Sequence, residues 1–358
     1  MLFCVFALAA DYVTCLFQTG YTVCMLWLGV LLLVVSNEQF TSYDALTKCK
    51  SRVTSYASSW TPKANAAQPL RLTAPVTSQT AERAQSSFLV PNIVHYVWFN
   101  KLTRAFQFHH MLSILSVDKY IKPDVIYFHT NKVPTGTYWN QVLEVQNFQV
   151  LLREPDNKVF GVRLKNRQGY ETTLSNVERV KIVYEFGGIY MDLDYIALKS
   201  FDTLRKYACT LGYERDGLVC GGVIVCARES PFLALWLRAF VHDYRPRQWA
   251  YNSGHVPSRL ARQHPHLMHI EATSLHRPSW NRTKRELGQL LLRSSRWNRT
   301  RNYGVHLWYR QWKYFLPGRR DTSMTSPNHD FNSIRTLDNP YGEIARTILF
   351  GSADIVAK

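Results

Sequence analysis

From residue 88 onward, short apolar runs alternate with segments of helical periodicity. Runs rich in Val, Ile, Tyr and Phe and bounded by turn residues predict buried β-strands. Such strands are predicted at residues 92–99, 123–130, 148–152, 189–197, 208–213 and 218–226. Because strands that alternate with helices favour βαβ units, the pattern predicts an α/β fold with a mainly parallel sheet.

The first 87 residues differ in pattern from the rest of the chain. Residues 13–35 are apolar and long enough to cross a hydrocarbon core of about 30 Å. No small-residue cleavage site follows them, so we interpret the stretch as an uncleaved transmembrane signal anchor. Residues 36–87 are rich in Ser, Thr, Ala, Gln and Pro, which predicts a flexible stem. The predicted segments are a short N-terminal segment (1–12), the anchor (13–35), the stem (36–87), a folded domain (88–318) and a C-terminal extension (319–358).

A helix, a glycine pair and a strand follow one another in residues 174–197. Ser175 is predicted to be the N-cap, and Glu178 three residues later would complete a capping box. Gly187 and Gly188 are predicted to end the helix, because glycine readily takes the left-handed conformation found there.

Two aspartates lie on the strand predicted at residues 189–197. Alternate side chains of an extended segment share a face, so the carboxylates of Asp192 and Asp194 would point to one side, about 6 to 7 Å apart. Oxygen ligands at this spacing suit Mg²⁺ or Mn²⁺ held jointly with the phosphate oxygens of a substrate. An Asp-x-Asp tripeptide is also common on solvated loops. Its place in a hydrophobic strand favours a metal site here.

The chain of 358 residues is strongly basic, with a formal net charge of +17. Its basic residues form no arginine-rich helix and no RNA-binding signature, which argues against nucleic acid as a partner. A nucleoside diphosphate, an anionic membrane surface or acidic glycans suit the charge better. Cys49, Cys209, Cys220 and Cys226 lie outside the apolar segment and can form disulfides in an oxidising compartment, but their spacing leaves the pairing open.

Seven residues around the glycine pair carry a resemblance to a known family: Ser175, Arg179, Gly187, Gly188, Tyr190, Asp192 and Asp194. They resemble the S-D-x-x-R and G-G-x-Y-x-D-x-D signature of the sugar-binding region of glycosyltransferase family 32. The resemblance extends from about residue 90 to residue 312. It implies a GT-A-like nucleotide-sugar-binding fold and a reaction that retains the configuration of the transferred sugar.

The resemblance also implies catalytic and metal-binding roles. Asp192 and Asp194 would hold Mn²⁺, or Mg²⁺, against the diphosphate of the donor. His306, in a late His-x-Trp motif, would complete the metal site. Arg179 would reach the sugar or phosphate of the donor, and is therefore also expected to be catalytic.

Donor-binding residues follow from the same resemblance. Trp98, at the end of the first predicted strand, would stack on the base of a UDP- or GDP-sugar, although a core tryptophan fits the pattern equally well. Arg179, Tyr190 and Asn176 would contact the donor. Asn176 stands where the family usually has aspartate; the amide accepts through one oxygen and carries no charge, so donor choice is left open. His95 is expected to pack in the core.

These expectations combine into a metal-dependent, retaining glycosyltransferase that moves a hexose from a nucleoside diphosphate sugar to a glycan acceptor on protein or lipid. The implied location is the Golgi membrane, with a single-pass type II topology and a lumenal catalytic domain at residues 88–318. The basic residues that follow the anchor would by themselves indicate the opposite orientation. The alternative is a catalytically silent lumenal protein that binds a nucleotide sugar or a glycan with the same fold, and Asn176 favours it.

Overall fold

A computed structural model describes residues 88–156, 158–164, 170–215, 217–245, 248, 250–279, 288–291, 297–309 and 329–356. The predicted N-terminal segment, anchor and stem lie outside the described residues. Among the helices that are described, none combines the length and the apolar composition needed to cross a bilayer.

The secondary structure consists of short strands and helices that alternate along the chain. The strands are β1 (Ile93–Trp98), β2 (Val125–Thr130), β3 (Phe148–Leu152), β4 (Lys158–Val159), β5 (Val162–Arg163), β6 (Gly188–Met191), β7 (Tyr195–Ala197), β8 (Cys209–Arg215), β9 (Leu218–Cys226), β10 (His269–Glu271) and β11 (Gly304–His306). The helices are α1 (Phe108–Tyr120), α2 (Thr137–Val142), α3 (Tyr170–Phe186), α4 (Asp202–Arg205), α5 (Pro231–His242), α6 (Val256–Gln263), α7 (Phe331–Arg335) and α8 (Pro340–Phe350), with a π-helix at Tyr251–His255 and a 3₁₀ turn at Pro265–Leu267.

A seven-stranded sheet in the order β10-β8-β9-β6-β1-β2-β3 forms the centre of the fold. Four of its six strand pairs are parallel, and only the two pairs made by β9 are antiparallel. The predicted α/β fold with a mainly parallel sheet is thus confirmed. Since β1, β2, β3 and β6 run in the same direction, their carboxyl ends lie at one edge of the sheet, where such folds bind ligands.

Alternating side chains of the central strands build a separate core on each face of the sheet. Val94 and Met191 face the core that contains α1. Tyr190 faces the core formed with α3 and α5. The described part of the predicted C-terminal extension belongs to the first core, because Tyr341 and Ile344 of α8 are buried in it.

The predicted start of the helix before the glycine pair is wrong. Helix α3 already includes Tyr170, so Ser175 lies inside the helix and is not its N-cap. The fully buried carboxylate of Glu178 pairs with Arg153 and Lys181 and forms no capping box. The local Ser-x-x-Glu pattern misled because the Ser175 hydroxyl accepts from Arg179 and the Glu178 carboxylate pairs with Arg153, a cation outside the helix. The predicted end is confirmed: α3 stops at Phe186, and both following glycines have positive φ angles of 67° and 107°.

The single strand predicted at residues 189–197 is also wrong. It is divided into β6 and β7, which belong to different sheets. A turn separates them, in which the Tyr195 N–H donates to the carbonyl of Asp192 at 2.9 Å. Strand β7 then pairs with β11, with Tyr195 opposite His306. The sequence did not reveal this break, because β11 lies about a hundred residues further along the chain.

The prediction for residues 208–226 is confirmed as the antiparallel pair β8 and β9. Cys209 and Cys226 face each other across this pair and form a disulfide, whereas Cys49 lies outside the described residues. Cys220 remains a buried free thiol.

Candidate active site

The turn between β6 and β7 carries both aspartates to the carboxyl edge of the central sheet. The Asp192 N–H donates to the carbonyl of Gly222 at 2.8 Å, which is the last bond that ties this segment to β9. Helix α1 fixes the next segment: Ser113 donates its hydroxyl to the Tyr195 carbonyl, and Ser116 accepts from the Ala197 N–H. The backbone of the turn is therefore anchored on both sides.

Asp194 contacts the late histidine that the sequence placed at the metal site. Nε2 of His306 lies 3.2 Å from Oδ1 of Asp194, and the Tyr309 N–H donates to the other carboxylate oxygen at 3.0 Å. The pairing of β7 with β11 produces this contact, because it sets His306 opposite Tyr195. The ring of Trp308 stacks on His306 with centroids 3.7 Å apart.

Asp192 is held from the other side of the turn. The Tyr190 hydroxyl donates to its Oδ1 at 2.6 Å, and Nη1 of Arg179 lies 3.1 Å from the same oxygen. The Arg179 guanidinium also donates to the carbonyl of Gly221 at 2.7 Å and to both oxygens of Ser175. All three nitrogens of the Arg179 guanidinium thus contact protein atoms. One of these contacts holds Asp192 in place, and the predicted contact of Arg179 with a donor stays a prediction.

Electrostatics strengthen the contact between Asp194 and His306. Burial by itself would raise the pKa of the Asp194 carboxyl, but His306, the Tyr309 N–H and His109 together hold that pKa well below its ordinary value. Burial disfavours the charged imidazole of His306, but Asp194, with a smaller effect of Asp192, raises the pKa of His306 above its ordinary value. The pair therefore favours a charged carboxylate beside a protonated imidazole when no cation is bound.

The residues brought together fit a hard divalent cation. Asp192, Asp194 and His306 each offer one ligand atom, and these atoms lie within 4.8 Å of one another. Two carboxylates with one imidazole are ligands that Mg²⁺ or Mn²⁺ accepts. The aspartate side chains keep 25 % and 23 % of their exposure, which leaves other coordination positions accessible to water or to a phosphate.

The structure places the other predicted donor residues at different positions. Trp98 is half-buried in a cluster with Phe106, His110 and Phe128, which agrees with the core alternative. Asn176 is half-buried on α3, one residue after the Ser175 that Arg179 contacts. His95 is buried and bonded to the Gly187 carbonyl, as expected of a core residue.

Sequence reasoning missed two residues beside the aspartates. A Cβ at Gly222 would lie 2.9 Å from Cε1 of His306 and 3.0 Å from Oδ2 of Asp192, so only glycine leaves room for both side chains. His109 of α1 is buried, stacks on Tyr309 at 3.7 Å and interacts with Asp194. Burial lowers the pKa of His109 to about 4. The sequence around Gly222 and His109 gave no signal for these contacts. Gly222 is the second of two glycines after Cys220, and His109 is the first of two histidines in a helix.

Residues 89–211 match the family model of the glycosyltransferase sugar-binding region containing a DXD motif. The matched stretch includes Asp192, Asp194 and the side chains that hold Asp192. Over this stretch the chain is similar to the DXD sugar-binding region. The resemblance to glycosyltransferase family 32 is thereby confirmed.

Relatives of this DXD region include fungal and animal proteins. Glucan organizing enzyme 1 of Cryptococcus neoformans var. grubii is 29% identical over 197 residues, which is 51% of this chain and 52% of that protein. Lactosylceramide 4-alpha-galactosyltransferase of Mus musculus is 31% identical over 98 residues, or 27% of this chain and 26% of that protein. The chain thus spans about half the length of the first relative and about a quarter of the second.

Solved structures with some likeness to the chain are also glycosyltransferases. PaToxG glycosyltransferase aligns with a TM-score of 0.38 and 16% identity, over 49% of this chain and 68% of that chain. Mouse xyloside xylosyltransferase 1 aligns with a TM-score of 0.36 and 13% identity, over 60% of this chain and 96% of that chain.

Proposed function

We propose that this chain is a metal-dependent glycosyltransferase that moves a hexose from a nucleoside diphosphate sugar to a glycan acceptor on protein or lipid. The observation that carries the proposal is the convergence of Asp192, Asp194 and His306 in a DXD sugar-binding region. Neither carboxylate is enclosed, so a substrate has access to the ligand atoms. This is the arrangement expected of a site that holds a cation jointly with a diphosphate.

A hard divalent cation, Mn²⁺ or Mg²⁺, would supply Lewis-acid stabilisation of the charge that develops on the leaving diphosphate. The protein's contribution is to fix the ligands. Tyr190 and Arg179 hold one oxygen of Asp192, so the other oxygen is left for the cation. The Tyr309 N–H holds Oδ2 of Asp194 and leaves Oδ1 beside His306. His306 must be deprotonated at Nε2 to serve as a ligand.

The remaining expectations form part of the same proposal. We infer a GT-A-like fold, because the sheet is mainly parallel and the aspartates stand at its carboxyl edge. A retaining reaction and a UDP- or GDP-sugar donor follow from the family resemblance. The proposed location is the Golgi membrane, type II, with the anchor at residues 13–35 and a lumenal catalytic domain. The Cys209–Cys226 disulfide supports an oxidising compartment.

Hydrolysis of a panel of UDP- and GDP-sugars by the full-length chain, with and without Mn²⁺, tests the proposal. We expect Mn²⁺-dependent release of the nucleoside diphosphate from at least one donor, and loss of that activity in Asp194→Asn. The matched control is Asp118→Asn, the same exchange at an exposed position on α1. Full activity of a folded Asp194→Asn variant would contradict the metal assignment.

The catalytically silent alternative gives a different result in the same assay. A silent protein would bind a nucleotide sugar or a glycan, measured by calorimetry, without turnover of any donor in the panel. Asn176→Asp then separates the two readings further. If the asparagine only changes donor choice, this variant shifts the preferred sugar. A silent protein would stay inactive.

A further inference from the structure

A second group of metal-ligand side chains lies directly behind the aspartate turn. Sγ of Cys220, one ring nitrogen of His276 and one of His306 lie within 4.8 Å of one another. All three residues are buried, with at most 5 % of their surface exposed. They come from different parts of the chain: Cys220 from β9, His276 from the segment after β10, and His306 from β11. The fold thus gathers them in one place.

Two glycines leave the space for this group. A Cβ at Gly212 of β8 would lie 2.8 Å from Cδ2 of His276. A Cβ at Gly222 of β9 would lie 2.9 Å from Cε1 of His306 and 3.3 Å from Sγ of Cys220. The neighbouring strands therefore carry no side chain at the two positions where one would displace the rings.

Three ring nitrogens of this group have no hydrogen-bond partner within the described part of the chain. Neither ring nitrogen of His276 has a hydrogen-bond partner among the residues that the structure describes, and the same holds for Nδ1 of His306. A buried polar group left unpaired costs about 1 to 3 kcal/mol, and buried polar atoms in native proteins nearly always have a partner. Three such atoms beside one buried thiol point to a ligand that binds nitrogen and sulfur together.

We propose that Cys220, His276 and His306 form a binding site for a divalent ion of the Zn²⁺ class, separate from the carboxylate pair. A thiolate with two imidazoles is a ligand set that borderline-soft ions prefer, whereas Mg²⁺ and Mn²⁺ prefer oxygen. Three protein ligands leave a fourth tetrahedral position for water. Binding transfers the Cys220 proton to solvent, because the thiolate is the form that binds.

The shared histidine couples this site to the carboxylate site. A neutral imidazole has one lone pair and one N–H. With the soft ion on Nδ1 of His306, Nε2 carries the hydrogen and donates to Asp194, 3.2 Å away. With a hard ion on Nε2, Nδ1 carries the hydrogen and cannot bind the soft ion. The two ions therefore compete for His306, a consequence that rests on the proposed function.

Titration of the metal-free, full-length protein with Co²⁺ as a probe for Zn²⁺ tests the soft-ion site without any activity assay. We expect thiolate-to-cobalt charge-transfer absorption with one equivalent of Co²⁺ in the wild type. Cys220→Ser should remove this absorption. His276→Gln should weaken Co²⁺ binding by at least roughly 10- to 100-fold. Removing a residue that only hydrogen-bonds to a metal ligand already costs this much affinity. His129→Gln, at another buried histidine with an unpartnered nitrogen, is the matched control and should keep it.

Two further measurements distinguish a failure of the proposed function from a failure of the soft-ion site. Asp192→Asn should keep the charge-transfer absorption while losing Mn²⁺-dependent hydrolysis, because Asp192 belongs to the carboxylate site alone. Donor hydrolysis missing in the wild type would overturn the proposed function, and absorption missing in the wild type or persisting in Cys220→Ser would overturn the soft-ion site. If a variant does not fold, X-ray absorption of the zinc-loaded wild type decides: a sulfur ligand at about 2.3 Å is expected. A shell of nitrogen and oxygen alone contradicts the site.

Discussion

Substitution of Gly222 by alanine tests whether the space behind Asp192 and His306 is needed for ion binding. The added Cβ would lie 2.9 Å from Cε1 of His306, whereas carbon atoms pack best at about 3.5 to 4.0 Å. The ring or the strand must therefore move by about 0.6 Å, which is 3.5 minus 2.9. Oδ2 of Asp192, at 3.0 Å, is displaced as well. The backbone of Gly222 is not left-handed, so alanine brings no conformational strain of its own.

A shift of this size exceeds the tolerance of a preorganised site, which is about 0.5 Å. A misplacement near 1 Å costs about 100-fold in rate, so we expect Gly222→Ala to lower turnover roughly 10- to 100-fold. Overpacking should also lower the free energy of unfolding by about 1 to 3 kcal/mol. The affinity for Mn²⁺ should fall with turnover, because both ligands move together.

Gly221→Ala is the matched control, since the neighbouring glycine faces the other side of β9. Its Cβ would lie 3.3 Å from Trp236 and from the Ser253 carbonyl, away from the aspartates. Calorimetric titration with Mn²⁺ and thermal unfolding should be measured for both variants. We expect Gly221→Ala to lose stability while keeping its Mn²⁺ affinity. A folded Gly222→Ala variant with wild-type affinity would refute the reasoning.

Three further changes probe the groups around the turn. Arg179→Lys should weaken Mn²⁺ binding and lower the melting temperature, because lysine cannot replace the several hydrogen bonds of the guanidinium. Calorimetric titration with Mn²⁺ and thermal unfolding measure the two effects. Unchanged values would contradict a role of Arg179 in positioning Asp192. The pKa of His306 is raised above 6.5, so its contact with Asp194 should stabilise the folded state fully below pH 6.5. This stabilisation should be lost as the pH rises through the raised pKa. Mn²⁺ affinity should increase over the same pH window, because the deprotonated imidazole is the form that binds a metal. Because the pKa of Asp194 is lowered, the stabilisation from its carboxylate should be complete above pH 3.8 and lost as the pH falls through the lowered pKa. His306→Gln should flatten both profiles. Glu178→Gln should lower the free energy of unfolding by about 1 to 3 kcal/mol in urea titrations without changing Mn²⁺ affinity, because the buried carboxylate serves only α3 and its cationic partners.

The elements that the sequence predicted well depend on local signals. The strand at residues 148–152 has the predicted bounds. Gly187 and Gly188 end α3 because both have positive φ angles, which residues with a side chain rarely adopt. Each of these features is decided within a few residues of sequence.

The features that the sequence did not reveal depend on distant partners. Ser175 looked like a cap because Glu178 follows at the right spacing, but that carboxylate pairs with Arg153 from another part of the fold and with Lys181 on the same helix. The missing side chain at Gly222 makes room for the ring of His306, which lies on another sheet. Single-sequence patterns carry no information about such contacts.

The aspartate pair shows how a correct site can follow from an incorrect local structure. Alternation along one strand would have set the two carboxylates side by side, but β6 ends at Met191 and the aspartates occupy a turn between two sheets. What brings Asp194 to its histidine is the pairing of β7 with β11, which sets Tyr195 opposite His306. The third ligand therefore lies outside residues 89–211, the stretch that matches the family. A fragment ending at residue 211 would lack β9 and β11, and with them the walls that close the ion site.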